Sequence, residues 1–328
     1  MSTPRTTVGT ARDVALPPAQ HVVLGAGAVG RALAAALARR GTGTVRVVSR
    51  TGPRHTPDGV QAVSADVTDP AAVPAATHGA RVVYQVMAPP YHRWAEQFPA
   101  LQEAAITAAE AAGARLVTLE NLYPYGEPRD GVPFTEDTPF RPRSRKGEVR
   151  AAMHRDLRAA ADAGRVEIAV GRAASYVGPG GGAQSPLGDQ VVRAALTGGR
   201  ARVLGDPDTP HSVSYIPDIA EGLAVLGEHP AAAGRVWHLP TEPAVRTMRQ
   251  MIDTLYRLAG RGPARLAPTP AWVLRLVGRF QPPVGEVVEM LYEYQRPFVV
   301  DSSRITAELG VRATPLDDAL AATLAGHR

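Results

Sequence analysis

The sequence has no cysteine, so it forms neither disulfide bonds nor thiolate metal sites, and only histidine and carboxylate ligands stay available to a metal. We predict no metal site. No apolar run approaches about 18 uninterrupted residues, the length that a membrane-spanning helix needs. Residues 1–18 lack the apolar middle part of a secretory signal and are predicted to be a disordered leader. A cytoplasmic protein without a membrane partner is therefore expected.

Strong charge clusters are also missing. The 36 lysine and arginine residues outnumber the 31 acidic residues by only five and are spread along the chain. Because they are not interleaved with aromatic residues, the pattern argues against nucleic acid as a partner. A small-molecule substrate is expected instead, and a homodimer is a possible assembly. With 328 residues, of which 45% are hydrophobic, the chain is long enough for a full α/β core and a smaller second lobe.

Three glycines with G-x-G-x-x-G spacing follow a short apolar run at residues 22–24, which predicts a strand that turns into a helix. The first glycine permits the tight turn, the second lets a pyrophosphate approach the backbone, and the third lets the helix lie close to the strand. A helix over residues 28–40 and a second strand over 44–49 complete the order of a βαβ unit. The residues expected to contact a dinucleotide here are Gly25, Gly27, Ala28, Val29 and Gly30.

The second strand ends in Ser49 and Arg50, with Arg54 close behind. NAD sites usually have an acidic residue here for the ribose 2′-hydroxyl, whereas NADP sites use arginine and small hydroxyls for the 2′-phosphate. Since this chain has no acid at that position, the sequence favours NADP over NAD. The alternative is that both arginines are solvated loop charges.

The next strand ends offer further contacts. Asp66 is expected either to contact the adenine or only to cap its own loop, whereas Asp69 is expected to cap a helix that Pro70 begins. Ala88 ends the apolar strand predicted over 81–87 and is expected beside the nicotinamide.

Six strands that alternate with helices predict an α/β fold, a doubly wound parallel sheet of the Rossmann type. We assign residues 19–180 to an NAD(P)-binding domain and 181–328 to a smaller C-terminal substrate-binding lobe, with about 212–240 returning to the first domain. The glycine-rich loop at 178–182 lacks the Lys-Ser/Thr pair of a P-loop, so it is interpreted as a flexible rim.

Several segments together resemble the extended short-chain dehydrogenase/reductase superfamily, which includes NAD(P)-dependent sugar epimerases and dehydratases. They are the glycine turn, Asp66, Ala88-Pro89, Tyr125-Gly126, Arg172, Tyr176-Val177-Gly178-Pro179 and 215–220. The resemblance covers roughly residues 20–240 and implies the fold, the cofactor site and an oxidoreductase-type chemistry. No motif after residue 240 names a substrate.

One departure from this resemblance concerns the proton donor. Such enzymes typically use a Tyr-x-x-x-Lys pair after the long loop and a serine or threonine at the end of the fifth strand, and the tyrosine exchanges a proton with the substrate oxygen. Lys146 fits the lysine position, where it is expected to contact the cofactor ribose, but Pro142 stands four residues before it and Asn121 takes the serine position. Another residue must therefore supply the proton, or the usual redox step does not occur.

Tyr123 is the preferred substitute because it lies two residues beyond Asn121, so the predicted catalytic set is Tyr123, Lys146 and Asn121. The alternative is that Tyr123 only fills the loop. Other candidates for the acid are Tyr84, Tyr91, His92 and Tyr176. Residues predicted to be structural are Arg172, His211 and Asp218. Residues 286–295 are predicted to be an amphipathic helix whose aromatic side chains either pack in the core, the more common outcome, or cover the substrate.

The favoured function is an NADP-dependent oxidoreductase of the atypical extended type that acts on a carbonyl or alcohol of a small molecule. Two alternatives stay open: an epimerase or dehydratase that retains its cofactor, and a catalytically inactive NADP(H)-binding sensor.

Overall fold

The computed structural model describes residues 16–53, 55–182, 185–280, 285 and 287–327. Most of the predicted leader lies outside the described residues, as do Arg54 and Glu286.

A seven-stranded sheet, parallel throughout, forms the centre of the molecule. Its strands are β1 (His21–Leu24), β2 (Val45–Ser49), β3 (Val60–Ser64), β4 (Val82–Gln85), β5 (Arg115–Glu120), β6 (Ile168–Arg172) and β10 (Val236–His238). The order across the sheet is β10-β6-β5-β4-β1-β2-β3, which reverses direction between β1 and β4. This confirms the predicted doubly wound α/β fold and puts a ligand crevice at the carboxyl ends of β1 and β4.

The strands of the sheet are rich in valine, as expected for strands that are buried on both faces and therefore consist of nearly continuous apolar runs. Two apolar layers cover the faces. The helices of these layers are α1 (Ala28–Arg40) and α6 (Ile216–Glu228) on one face, and α2 (Val73–Thr77), α3 (Trp94–Ala112) and α4 (Arg145–Asp162) on the other. Helix α6 packs along α1, so residues 216–238 rejoin the large domain after the chain has left it.

The remaining elements form a smaller lobe with its own apolar core. They are β7 (Ser175–Val177), α5 (Asp189–Thr197), β8 (Arg200–Leu204), β9 (Val213–Tyr215), α7 (Met248–Leu258), β11 (Arg265–Thr269), α8 (Ala271–Gly278), α9 (Ser303–Leu309) and α10 (Leu316–Ala325). Strand β7 pairs with β9, and β8 pairs with β11, both in parallel. In the described part of the chain, no helix has the length and apolar character needed to cross a membrane.

Three local predictions are corrected. A seventh strand, β10, joins the six that were predicted; its three residues are too short a run to stand out in the sequence. Asp69 caps no helix: its carboxylate accepts a hydrogen bond from the N–H of Ala71 in a turn, and α2 begins only at Val73. The segment expected to be one helix over 286–295 contains a separate 3₁₀ turn, Leu291–Tyr294.

Candidate functional site

The glycine turn between β1 and α1 has a distinct geometry at each glycine. Gly25 has a φ of +119°, which L side chains rarely adopt. A Cβ at Gly30 would lie 2.0 Å from the carbonyl oxygen of Gly25, so only glycine allows the helix to approach the strand this closely. A Cβ at Gly27 would meet nothing within 4 Å. The space in front of Gly27 is therefore open, as a bound pyrophosphate would require.

The amino end of α1 faces this open space without a cap. No side chain accepts a hydrogen bond there and the first turn contains no acidic residue, so backbone N–H groups are left for an anion. Ala28 is half-buried and Val29 is buried, so these residues offer backbone rather than side-chain contacts. The loop at 178–182 reaches the same place, since a Cβ at Gly180 would lie 3.6 Å from the Cβ of Ala28.

Ser49 and Arg50 lie at the carboxyl end of β2, as predicted for the adenosine end of the site. The Ser49 hydroxyl is buried and has no hydrogen-bond partner among the described residues, so it can bind a polar ligand group. Arg50 is exposed beside it. Asp66 accepts hydrogen bonds from the N–H and the hydroxyl of Thr68, and these bonds, with a smaller contribution from the Arg50 charge, lower the pKa of Asp66. Its carboxylate is thus engaged in its own loop.

Lys146 lies at the beginning of α4 and is the only lysine in the sequence. Its Nζ is 3.0 Å from Oε1 of Glu289 and 4.3 Å from the centre of the Tyr91 ring. Ser144 caps α4 by accepting from the N–H of Gly147, and Pro142 therefore precedes the helix. A Tyr-x-x-x-Lys pair on one helical face does not exist here, because the position four residues before Lys146 is not helical.

Tyr123 lies in a 3₁₀ turn, Tyr123–Tyr125, directly after β5. The Asn121 side chain accepts a hydrogen bond from the Tyr123 N–H at 3.3 Å and so fixes this turn. The Tyr123 ring stacks on Trp94 at 5.7 Å, and its hydroxyl is 3.3 Å from the hydroxyl of Tyr91. Burial raises the pKa of Tyr123, and the nearby charge of Glu293 raises it further. Its hydroxyl thus joins a network that also approaches Lys146 through Tyr91.

A cavity of about 540 Å³ lies beside Glu289, the carboxylate partner of Lys146. Its lining includes Pro142 and four charged residues, which are Glu127, Arg143, Arg275 and Glu289. The position where related enzymes would carry a tyrosine thus faces a space large enough for a small ligand.

The chain matches a family model over residues 21–239, and the model is described as the NAD dependent epimerase/dehydratase family. The chain belongs to this family. The match spans the glycine turn, the strands of the central sheet and the segment that returns to it. The resemblance inferred from the motifs is therefore confirmed.

Solved structures with nearly the same extent share the fold. MoeE5 in complex with UDP-glucose and NAD has a TM-score of 0.73 at 21% identity, with 94% of this chain and 98% of that chain covered. UDP-glucuronic acid 4-epimerase from Bacillus cereus, with UDP-glucuronic acid and NAD, has a TM-score of 0.75 at 15% identity, with 94% and 98% covered. dTDP-glucose 4,6-dehydratase from Bacillus anthracis, with NAD, has a TM-score of 0.73 at 13% identity, with 94% and 96% covered.

A relative by sequence is the uncharacterized protein y4nL of Sinorhizobium fredii. It is 30% identical over 153 residues, which cover 46% of this chain and 42% of y4nL. The chain thus matches less than half of this relative's length.

The other residues considered for proton transfer in this family member lie in different surroundings. Tyr84 is in the middle of β4, buried, and its hydroxyl is 3.2 Å from Nδ1 of His21, at the amino ends of the strands and away from the crevice. His92 is exposed beside Tyr91, and Ala88 is exposed beyond the end of β4. Tyr176 is half-buried on β7.

The sequence interpretation missed a buried ion network at the end of β5, beside Tyr125. Glu120, the last residue of β5, accepts from Nε of Arg172 at 2.9 Å and is 3.1 Å from Nδ1 of His154. Arg172 also donates to the Tyr125 hydroxyl. Burial alone would raise the pKa of Glu120, but the Arg172 and His154 contacts lower it to about 2. The only signal in the sequence was the charged pair at the ends of adjacent strands, β5 and β6.

The remaining predicted residues contact the polypeptide itself. His211 is buried, with Nε2 2.9 Å from the Ser175 hydroxyl, and Asp218 accepts from the N–H and hydroxyl of Thr314. Among the described residues, no group of three or more potential ligands could hold a metal ion.

Proposed function

We propose that this protein is an NADP-dependent oxidoreductase that acts on a hydroxyl or carbonyl of a small molecule. The observation that carries the proposal is the open space at Gly27, which faces the uncapped end of α1. This arrangement suits a dinucleotide pyrophosphate. Membership in the NAD dependent epimerase/dehydratase family likewise supports a bound nicotinamide dinucleotide.

The preference for NADP rests on the end of β2. Arg50 is exposed, the Ser49 hydroxyl is buried without a partner among the described residues, and the Asp66 carboxylate is engaged by Thr68. A guanidinium and a small hydroxyl suit a 2′-phosphate better than a free ribose 2′-hydroxyl.

A bound nicotinamide supplies the hydride donor or acceptor. Lys146 would hold the ribose next to it, which requires the lysine to exchange its contact with Glu289 for the cofactor. The Tyr123 hydroxyl would exchange the proton with the substrate oxygen, and Asn121 would hold the turn that positions it.

The cavity of about 540 Å³, which Pro142 and Glu289 line and Tyr123 does not, is proposed to hold the part of the substrate beyond the reacting oxygen. Its wall carries two arginines and two glutamates, which suits a polar substrate and favours neither sign of charge. Since two of the similar structures carry a UDP-sugar beside NAD, an epimerase or dehydratase that retains its cofactor is the second candidate.

A third candidate is an NADP(H)-binding sensor without catalysis. Pro142 in place of a tyrosine and the contact of Lys146 with Glu289 favour it. In this case the cofactor would bind by displacing Glu289 and would undergo no turnover.

Cofactor turnover separates the three candidates. The purified protein is first titrated with NADP and NAD, and then incubated with either redox state and panels of carbonyls, alcohols and nucleotide sugars. We expect NADP to bind and NADPH to be consumed with one class of carbonyl. A changed sugar without net cofactor change would indicate an epimerase or dehydratase, and binding without any reaction would indicate a sensor. If neither cofactor bound, the proposal would be wrong.

A further inference from the structure

Four large apolar side chains are exposed in the described part of the chain, and three of them lie within nine residues. Trp272, Leu276 and Phe280 are 66%, 55% and 77% exposed. The first two belong to α8, and Phe280 follows the end of this helix by two residues. Their constant spacing of four places side chains on one side of a helix. These three residues, the apolar stripe, are therefore left uncovered together, whereas the fourth, Val132, stands alone in another loop.

The apolar stripe is flanked by arginines without an acidic partner. Arg275 and Arg279 each precede a member of the stripe by one residue, and both are exposed. Neither forms an ion pair with the described residues. Arg275 also lines the cavity, but the two acids there, Glu127 and Glu289, each pair with another cation. No aspartate or glutamate occurs in the sequence from residue 254 to residue 285, so this segment carries positive charge only.

The strand pair that leads into α8 carries more positive charge. Arg200 and Arg202 occupy exposed positions of β8, with a buried residue between them. Arg265 of β11 is exposed and lies directly opposite Arg200. None of these three arginines forms an ion pair with the described residues. Because like charges opposite each other on neighbouring strands repel, an anionic partner would stabilise this arrangement.

We propose that α8 and the turn after it dock on the surface of an anionic lipid bilayer. The apolar stripe would enter the boundary between headgroups and acyl chains, where tryptophan, phenylalanine and leucine are favoured. Arg275 and Arg279 would stay at the level of the headgroup phosphates. The sequence expectation of no membrane partner considered a spanning helix and a signal segment only. A helix that lies on a membrane needs neither the length nor the unbroken apolar run of a spanning helix.

The combination of the apolar stripe with unpaired arginines favours a bilayer over two other partners. A second copy of this chain, related by a twofold axis, would bring the same surface of each copy together, so arginines would face arginines. A nucleic acid would pair with the arginines but would leave Leu276 without an apolar partner. An anionic bilayer offers acyl chains to the stripe and phosphates to the arginines. The inference does not depend on the proposed function.

The first test is sedimentation of the cofactor-free protein with vesicles. We expect binding to vesicles of phosphatidylglycerol and phosphatidylcholine in equal parts, weakened by added salt, and much weaker binding to phosphatidylcholine alone. Trp272→Ser should weaken binding to the anionic vesicles by about tenfold or more. Arg275→Gln and Arg279→Gln should each weaken it by about fivefold.

Two matched controls remove an exposed side chain of the same kind elsewhere. Val132→Ser removes the fourth exposed apolar side chain, and Arg81→Gln removes an exposed arginine directly before β4. Both variants should bind the anionic vesicles like the parent. Circular dichroism of every variant checks that it is folded.

Tryptophan fluorescence distinguishes insertion from adsorption. The chain has three tryptophans, of which Trp237 is buried, Trp94 is half-buried and Trp272 is exposed. Anionic vesicles should therefore shift the emission of the parent to shorter wavelength through Trp272. Trp272→Phe keeps an aromatic ring, so it should still sediment with the vesicles but lose this shift.

Several results would overturn the proposal. They include no binding to either kind of vesicle, equal binding to both kinds, and parent-like binding by Trp272→Ser. If light scattering showed a dimer that Leu276→Ser dissociates, a second copy of the chain would cover the apolar stripe instead. Binding to DNA as tightly as to anionic vesicles, unchanged in Trp272→Ser, would show that the arginines bind a polyanion and that the stripe plays no part.

Discussion

Arg50 is the residue on which the proposed cofactor preference depends. If its guanidinium binds the 2′-phosphate, Arg50→Ala should weaken NADP by about ten- to a hundredfold, or about 1.5–3 kcal/mol, and leave NAD nearly unchanged. Titration of both cofactors checks this. Arg39→Ala, an exposed arginine at the other end of α1, is the matched control and should change neither affinity. Equal weakening of both cofactors by Arg50→Ala would contradict the assignment.

Tyr123 carries the proposed proton exchange, and its ring and hydroxyl can be separated. Tyr123→Phe keeps the stacking on Trp94 and removes the hydroxyl that meets Tyr91. We expect kcat to fall by about 10²–10⁴-fold with NADP affinity nearly unchanged. Lys146→Met should instead weaken the cofactor through the lost ribose contact.

The control for this prediction is Tyr84→Phe. It removes another buried phenol hydroxyl, but one that lies beside His21 at the opposite ends of the strands. This variant should leave kcat unchanged. Full turnover by Tyr123→Phe would show that another group exchanges the proton, and Tyr91 would be the next residue to test.

Single residues show where the sequence was informative. The glycines, Ser49 and Arg50 belong to one local pattern, so their positions follow from spacing alone. Glu289 pairs with Lys146, 143 residues away in the chain, and the Glu293 carbonyl lies 3.1 Å from Nδ1 of His211, 82 residues away. No local pattern identifies such partners. That Glu293 is a buried acid is thus known only from the folded structure.

At the level of the element, the β1–α1 turn contains one glycine that cofactor binding requires and another that folding requires. Gly27 has φ −68°, and a Cβ there meets nothing, so Gly27→Val should fold with normal stability yet lose NADP, because the side chain fills the pyrophosphate space. Gly30→Ala should instead destabilise the protein, since its Cβ would strike the Gly25 carbonyl. Urea unfolding and NADP titration of both variants give the answer. NADP binding by Gly27→Val at the parent affinity would reject the site.

The boundaries of helices and strands were predictable where local residues determine them, and not where two local structures compete or distant pairing decides. Helix α1 was predicted with its observed bounds because an alanine-rich run ends at a glycine. Helix α2 was misplaced because Asp69 forms a turn with Ala71, an alternative that the same residue types favour equally. Strand β10 could not be predicted, because its pairing with β6 comes from the return of the chain rather than from its own three residues.

For the whole molecule, three buried groups with large pKa shifts set the main trend of stability near neutral pH. Burial lowers the pKa of His211 and His238 from 6.5 to about 4, and it raises the pKa of Glu293 from 4.5 to about 8. Between pH 4.5 and 6.5 the unfolded chain holds more protons on the two histidines than the folded protein does. The two histidines outweigh Glu293, so stability rises with pH over this interval.

Above pH 6.5 the balance changes sign, because the unfolded chain then holds less than one proton on its two histidines together and the Glu293 proton of the folded protein outweighs them. The folded protein still holds the Glu293 proton that the unfolded chain has released, so stability falls up to about pH 8. We expect maximum stability near pH 6.5 and a decline of at most about 1.4 kcal/mol per pH unit beyond it. Urea unfolding from pH 5 to 9 measures the curve. Glu293→Gln should abolish the alkaline decline, whereas Glu289→Gln should keep it; a decline that survives in Glu293→Gln would mean that another group holds the proton.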